Sequence, residues 1–159
     1  MNVDQCVSYD ENQTDAMTVP VGFEVQQLLS HLLRRAHFYA ESEFVGAYPG
    51  LDATSRQLAL LFTINRMPGA TQIDLAQAVG IDSNTFSDLA KRSEQKGLLK
   101  RVRMASDRRA WGLYLTELGR SLVAQAAILT PDYQNSLARR LSEQEALQLV
   151  SLLKKMLDL

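Results

Sequence analysis

The stretch TQIDLAQAVGIDSNTFSDLAKR, residues 71–92, decides the fold of this chain. Gln72, Ala76 and Gly80 recur at four-residue spacing, which predicts a helix that packs closely through Ala76 and ends in a turn at Gly80. A second helix, capped by Asp82 or Ser83, is anchored by apolar residues at three- and four-residue steps: Ile81, Phe86, Leu89 and Ala90. Two helices joined by such a tight turn form a helix-turn-helix.

The other face of the second helix carries short hydrogen-bonding groups at its start and cations further along: Ser83, Asn84, Thr85, Ser87, Asp88, Lys91 and Arg92. A helix that enters the major groove of DNA needs small donors and acceptors at the base edges and Lys or Arg beside the phosphates. The pattern therefore favours a DNA-reading helix. The alternative is an ordinary helical hairpin with a polar outer face.

Two strand-like runs follow, LLKRVRM (98–104) and WGLYLTELG (111–119), joined by the segment ASDRR. A strand–turn–strand after a recognition helix predicts the hairpin wing of a winged helix. Arg108 and Arg109 at its tip would reach the adjacent minor groove, where the negative potential attracts arginine. Arg103 is a further expected DNA contact, and Asp107 is expected to orient an arginine or lysine through a charge-assisted hydrogen bond.

The charge of the chain is unevenly distributed, although its net value is only −1. Residues 1–52 contain eight acids and two bases, a balance of 2 − 8 = −6. Residues 91–109 contain eight bases and two acids, a balance of 8 − 2 = +6. Such a concentrated basic segment indicates a polyanionic partner. A solvated face that keeps the protein soluble is the alternative.

The remaining segments predict further helices. Residues 1–20 are polar and without periodicity, and we interpret them as a flexible arm. Apolar residues from Phe23 predict a long helix to about Val45, and Asp52 or Thr54 begins another that stops before Pro68. Thr116 begins a third, in which Pro131 should start, kink or interrupt a helix. A capping box at residues 142–145 begins the last. The sequence thus predicts a mostly α fold with a small β-hairpin.

Composition and missing motifs exclude several function classes. Apolar residues make up 46% of the 159, but no apolar run approaches the ~18 residues of a membrane span. The N-terminus lacks the features of a secretory signal, and the single cysteine, Cys6, fits a reducing cytoplasm. No GxSxG, HExxH, phosphate-binding glycine loop or Cys/His metal pair occurs, so we expect no enzyme, cofactor or metal site.

Three segments together resemble the MarR family of bacterial transcription regulators: PGATQIDLAQAVGID, TFSDLAKRSEQKGLLKR and SDRRAWGLYLTELGR, within about residues 50–125. The family's wing motif of Asp followed by two arginines falls on Asp107, Arg108 and Arg109. Its LT-x-x-G motif falls on residues 115–119. Ser93 departs from the family pattern, which usually has leucine there, and is expected to loosen packing behind the recognition helix.

The resemblance implies a winged helix-turn-helix at residues 51–119, flanked by N- and C-terminal dimerisation helices at 21–50 and 120–159. A homodimer would present two recognition helices about one duplex turn (~34 Å) apart and bind double-stranded DNA at a palindromic operator. The terminal segments are more apolar than the flanks of one small domain require. Packing of these helices within the monomer is the alternative.

The resemblance also implies a regulator, expected to be a repressor, that a small effector such as an aromatic carboxylate releases from DNA. Arg34, His37 and Tyr39 on the first helix are the candidate contacts, since arginine binds carboxylates bidentately and an aromatic ring covers a phenyl group. These side chains could instead make intersubunit or solvent contacts. Two further alternatives are a redox response through Cys6, which could equally be an incidental thiol, and a winged-helix adaptor for an acidic protein partner.

Overall fold

The computed structural model of the protein describes residues 24–104 and 110–159. After a one-turn 3-10 helix at Val25–Gln27, these residues form six α-helices and two β-strands, in the order α1 (Leu29–Ala47), α2 (Ser55–Arg66), α3 (Gln72–Val79), α4 (Ser83–Gln95), β1 (Leu99–Arg103), β2 (Trp111–Leu115), α5 (Glu117–Ala138) and α6 (Glu143–Met156). The predicted fold class, mostly α with a small hairpin, is confirmed.

The chain divides into two units, Met1–Phe38 and Tyr39–Leu159. In the first unit, the described residues comprise the 3-10 helix and the beginning of α1. The first helix was expected to begin near Phe23, but a residue in extended conformation, Leu28, separates the 3-10 turn from α1. The second unit contains the rest of α1, the other five helices and both strands.

Side-chain caps set most helix starts where the sequence predicts them. Thr54 and Thr71 each form a reciprocal capping box, with Gln57 and Asp74 as their partners. Asp82 caps α4, and a third capping box begins α6. Gly80 ends α3 with φ +75°, a left-handed conformation that glycine adopts without steric cost. These local signals explain why the helix-turn-helix forms at residues 71–95.

Pro131 lies inside a helix. Helix α5 continues through this residue as far as Ala138, so the predicted start or interruption of a helix there is wrong. Proline removes one backbone donor from the helix interior. In the turn before it, the Thr130 hydroxyl donates to the carbonyl oxygen of Ala126 at 2.9 Å. The packing of α5 on the rest of its unit outweighs the local preference of the proline.

The two strands pair antiparallel, with Leu99 opposite Leu115 and Arg103 opposite Trp111. The segment just before α3 extends this sheet. The Gly69 amide donates to the Leu113 carbonyl at 2.8 Å, and the Leu113 amide donates to the Ala70 carbonyl at 3.1 Å. A Cβ atom at Gly112 would lie 2.6 Å from the Gly69 carbonyl oxygen, so this close approach requires glycine. The hairpin is therefore anchored directly to the helix-turn-helix.

The core of the second unit lies where α2, α3, α4 and β2 meet. Fully buried side chains from these four elements fill it: Leu60, Leu61, Ile64, Leu75, Phe86 and Leu113. Burying a side chain such as Phe86 contributes about 1.5–3 kcal/mol. Ser93 also has no exposed surface, and its hydroxyl donates to the Leu89 carbonyl at 2.9 Å. The residue that departs from the family pattern thus satisfies its polar group within α4.

Candidate nucleic-acid interface

The start of the predicted recognition helix, α4, is fixed by Asp82. Its carboxylate accepts hydrogen bonds from the backbone amides of Asn84 and Thr85, both at 3.0 Å, and from the Thr85 hydroxyl at 2.6 Å. The Thr85 hydroxyl bond, followed by the amide bonds, holds the pKa of Asp82 below its ordinary value. This stabilisation of the fold is complete above the ordinary pKa of aspartate and is lost as the pH falls through the lowered one.

The remainder of α4 separates into a buried face and an exposed face. Phe86 and Ala90 are fully buried against the core. Apart from Gln95, the exposed side chains of α4 are those predicted to contact DNA, without Thr85: Ser83, Asn84, Ser87, Asp88, Lys91 and Arg92. Thr85 is half-buried, and its hydroxyl proton is donated to Asp82, so only its oxygen lone pairs remain for a base. A contact of all these residues with DNA stays a prediction.

The hairpin carries an exposed cation at its described end. The guanidinium carbon of Arg103 lies 5.1 Å from the centroid of the Trp111 ring, its cross-strand neighbour. This cation–π contact limits the side chain to few positions while leaving it in solvent. Asp107, Arg108 and Arg109 lie outside the described residues. Their placement at the tip of the wing therefore stays a prediction.

The cations of the basic segment that the structure describes fall into two groups. Lys96 contacts the Asp52 carboxylate at 2.6 Å, and Arg101 contacts Glu94 at 3.1 Å. Within residues 24–104 and 110–159, four others have no ion-pair partner: Lys91, Arg92, Lys100 and Arg103. Lys91 and Arg92 on α4 and Arg103 at the described end of the hairpin are thus not engaged by any described carboxylate, as the predicted phosphate contacts require.

One structural link at this surface was not found from the sequence. The Nε atom of Arg101, on β1, lies 3.1 Å from the Glu94 carboxylate on α4, as an ion pair rather than an aligned hydrogen bond. An Nη atom of Arg101 lies 3.5 Å from the Gln72 side-chain oxygen on α3. Arg101 thus joins the base of the wing to both helices of the helix-turn-helix. Only the opposite charges of residues 94 and 101 could have indicated this pair.

We expect Arg101→Gln to lower the free energy of unfolding by about 1–2 kcal/mol, because it removes a half-buried charged contact from Glu94. Lys100→Gln, at an exposed neighbouring position, should change it by less than about 0.5 kcal/mol. Urea denaturation of both variants measures these values. A double-mutant cycle with Glu94→Gln should give a coupling energy above about 0.5 kcal/mol. Additive effects would contradict the proposed link.

A cavity of about 270 Å³ lies within the second unit, where the end of α1, α2 and α5 meet. Aromatic rings form much of its wall: the rings of Phe44 and Tyr48 lie 4.6 Å apart, and those of Tyr48 and Tyr133 lie 5.4 Å apart. Phe62 and aliphatic and uncharged polar side chains complete the lining. The pocket is open to solvent, and its mostly apolar lining with a few polar groups has the composition of a small-molecule site.

The residues predicted to bind the effector lie elsewhere in the described structure. Arg34 and His37 are exposed residues of α1 in the first unit. Tyr39 is half-buried in the second unit, where its hydroxyl donates to the Ser136 carbonyl at 2.9 Å and its ring lies 5.6 Å from the Arg139 guanidinium carbon. Tyr39 does not line the aromatic cavity. That cavity could not be found from the sequence, since its walls come from residues up to 90 positions apart.

Two features are absent from residues 24–104 and 110–159. No helix among them is long and apolar enough to cross a membrane. They also contain no group of three His, Cys, Asp or Glu side chains placed to hold a metal ion. Cys6 lies outside the described residues.

Residues 53–111 match the MarR family model. The chain also resembles solved structures over most of its length. It is similar to the PcaV transcriptional regulator from Streptomyces coelicolor in complex with its natural ligand, with a TM-score of 0.80, 23% identity and coverage of 87% of this chain and 98% of that one. At this level of identity the match establishes the fold alone.

Two further structures are 28% identical to this chain. One is the transcriptional repressor CouR bound to a 23-mer DNA duplex, with a TM-score of 0.77 and coverage of 87% of this chain and 98% of that one. The other is BpsR from Bordetella bronchiseptica, described for the regulation of its DNA binding by 6-hydroxynicotinic acid, with a TM-score of 0.73 and coverage of 80% and 96%.

The family consists of transcriptional regulators and not of enzymes. The chain carries a MarR-family domain at residues 53–111 within the fold of the family's transcriptional regulators, which confirms the resemblance seen in the sequence.

Proposed function

We propose that the protein is a cytoplasmic, ligand-responsive repressor that binds a palindromic operator as a homodimer. The observation that carries this proposal is the division of α4: Phe86 and Ala90 are fully buried, while the opposite face is exposed and polar, with cations at its far end. Direct reading of bases requires a helix whose buried face is fixed by the core and whose exposed face can enter the major groove.

The proposed DNA contacts follow from position along this helix and the hairpin. Ser83, Asn84, Ser87 and Asp88 in the first half of α4 would face base edges, with a smaller role for Thr85. Phosphates would be contacted by the cations further along and on the hairpin: Lys91, Arg92 and Arg103. Arg108 and Arg109 are proposed to enter the minor groove, oriented by Asp107. CouR, the 28% identical repressor solved with duplex DNA, supports this use of the fold.

The homodimer is proposed because the chain exposes apolar helix surface. Helix α6 has no buried residue, yet it carries large apolar side chains that are 46–65% exposed: Leu147, Leu149, Val150, Leu152 and Met156. In the first unit, Leu29 and Phe38 are 62% and 63% exposed. Monomeric proteins rarely expose continuous apolar patches of this kind. A second copy would cover them and set the spacing of the two recognition helices.

The effector is proposed to be a small aromatic compound. PcaV was solved with its natural ligand, and BpsR responds to an aromatic acid. For an effector that is a carboxylate, we propose the contacts expected from the sequence, Arg34, His37 and Tyr39. Arg34 and His37 are exposed and would be accessible to such an anion.

Salt titration of duplex binding tests the DNA-binding proposal. The five proposed cations of each protomer, Lys91, Arg92, Arg103, Arg108 and Arg109, predict that log K falls with log salt with a slope of up to roughly −9 for a dimer. Footprinting upstream of the protein's own gene would supply the operator. Weak binding that is equal for the operator and a scrambled duplex would contradict the proposal and favour an adaptor for an acidic protein.

Retention of a peroxide response in Cys6→Ser would exclude the redox alternative.

We expect Arg109→Ala to weaken operator binding by about 1–3 kcal/mol, the range for an arginine that contacts a groove. Fluorescence anisotropy with a labelled operator duplex measures this change, and sedimentation verifies that the dimer is intact. Arg140→Ala removes an exposed cation between α5 and α6 and serves as the matched control. Equal affinities of Arg109→Ala and the unaltered protein would contradict the wing assignment.

A further inference from the structure

Asp88 lies at the centre of the exposed face of α4. Phe86 is fully buried and marks the direction of the core. Successive residues of an α-helix are rotated by about 100°, so Asn84 and Asp88 stand about 160° and 200° around the helix from Phe86. Both side chains are exposed. They point directly away from the core and, in the proposed complex, lie on the line of α4 that comes closest to the base edges.

The helix-turn-helix contains four acidic residues, and three of them have a structural partner. Asp74 forms the capping box of α3, Asp82 caps α4, and Glu94 forms the ion pair to β1. Asp88 forms no ion pair among the described residues, although two cations lie one turn further along α4. Its carboxylate is thus the one acidic group of this motif whose presence the described ion pairs and helix caps do not explain.

A carboxylate on a face that reads DNA can be satisfied by few groups. It only accepts hydrogen bonds, and it is repelled by phosphates and by the acceptor atoms of guanine and thymine. In the major groove the hydrogen-bond donors are the exocyclic amines of cytosine and adenine. Adenine presents its N7 acceptor beside that amine, whereas cytosine presents the N4 amine without such an acceptor. Cytosine is therefore the base that an aspartate side chain matches.

The cations of the same helix make Asp88 a source of specificity rather than of affinity. Lys91 and Arg92 attract any duplex through its phosphates, whatever the sequence. An acidic group beside them weakens this general attraction and becomes a desolvated, unpaired charge wherever no amine faces it. Binding to a wrong sequence is thereby weakened more than binding to the right one, which is how a repulsive element raises specificity.

We infer that Asp88 is a specificity-determining residue that accepts a hydrogen bond from the N4 amine of a cytosine in each half-site of the operator. The inference rests on the proposed function, in which α4 enters the major groove. Guanine or thymine at that position places an acceptor against the carboxylate, and adenine adds its N7 atom beside the amine. The operator therefore carries a cytosine that no other base replaces without loss of affinity.

Base-by-base substitution of the operator tests this inference with the full-length protein. Selection from random duplexes supplies the operator, and fluorescence anisotropy gives the Kd of every single-base variant. For the unaltered protein, we expect one C·G position in each half-site at which the other three base pairs weaken binding at least about 10-fold. In Asp88→Ala, the same three changes should cost less than about 3-fold, while the losses at the other positions are retained.

Two further variants separate base reading from other effects of the charge. Asp88→Asn supplies an amide that pairs bidentately with adenine, so the preferred base at this position should change from cytosine to adenine. Asp132→Ala removes an exposed acid of α5, outside the helix-turn-helix, and should leave every base preference unchanged. Circular dichroism verifies that the variants are folded. A uniform change of affinity in Asp88→Ala, with the cytosine preference retained, would show that Asp88 acts only on its neighbouring cations and would overturn the inference.

The same measurements distinguish failure of this inference from failure of the proposed function. An unaltered protein that binds its operator with the base preferences of Asp88→Ala would leave the repressor proposal standing and overturn the inference alone. An unaltered protein that binds all duplexes alike would overturn both.

Discussion

Glutamates introduced together at Leu149 and Val150 of α6 are expected to convert the protein into folded monomers and to weaken operator binding by at least about 1,000-fold. These side chains are 46% and 50% exposed in the single chain. No residue of α6 is buried. The substitutions therefore leave the core of the monomer intact, while each carboxylate would have to be desolvated in an apolar dimer interface.

The size of this effect follows from the use of two half-sites. A specific protein–DNA complex with a Kd of about 10⁻⁹ M has a binding free energy of about −12 kcal/mol. A monomer makes the contacts of one half-site only and retains roughly half of that free energy, which corresponds to a Kd above about 10⁻⁵ M. Analytical ultracentrifugation reports the monomer, and anisotropy with the operator duplex reports the affinity.

The matched control places the same two charges elsewhere on α6. Gln148→Glu with Ser151→Glu adds glutamates to the polar side of the helix, at exposed positions. This control should remain dimeric and keep its affinity to within about 10-fold, because added acids repel DNA only weakly at a distance. A dimeric Leu149→Glu/Val150→Glu variant would show that α6 is not the interface.

The helices and hairpin of this protein were predictable because local chemistry sets their limits. Thr54, Thr71, Asp82 and the residues at 142–145 each satisfy backbone amides within one turn, so a short window of sequence contains the whole signal. The exposed and buried faces of α4 follow from helical periodicity in the same way. This locality explains why the candidate DNA-binding face is exposed, apart from the half-buried Thr85; its contact with DNA stays a prediction.

Features that depend on distant contacts were not predictable. The pairing of residues 69–71 with β2 joins segments more than 40 positions apart. The ion pair of Arg101 and the aromatic cavity likewise need the tertiary structure. A helix start or interruption at Pro131 was wrongly expected, because packing of α5 overrides the local preference of proline. The expected loosening of packing at Ser93 stays a prediction; the residue is fully buried, and its hydroxyl donates to the Leu89 carbonyl.

Gly119→Ala is expected to lower the free energy of unfolding by about 3 kcal/mol or more. Gly119 lies in the first turn of α5, and its amide donates to the Thr116 hydroxyl at 3.0 Å. The Thr116 amide in turn donates to the Leu98 carbonyl at 3.1 Å. A Cβ atom at Gly119 would clash with that same carbonyl oxygen and lie 2.9 Å from its carbon. Leu98 stands between α4 and β1, so relief of the clash must displace the junction of recognition helix and wing.

Chemical denaturation of Gly119→Ala against Gly46→Ala tests this explanation. Gly46 lies near the end of α1, and a Cβ atom there would meet no atom within 4 Å. Alanine at that position should be neutral or stabilise the fold by up to about 1 kcal/mol, because it reduces the freedom of the unfolded chain. Below its melting temperature, Gly119→Ala should also bind the operator more weakly, since the clash acts where α4 meets β1. Equal stability of the two variants would show that the backbone at Leu98 yields without cost, and that the glycine of the LT-x-x-G motif is not required for this contact.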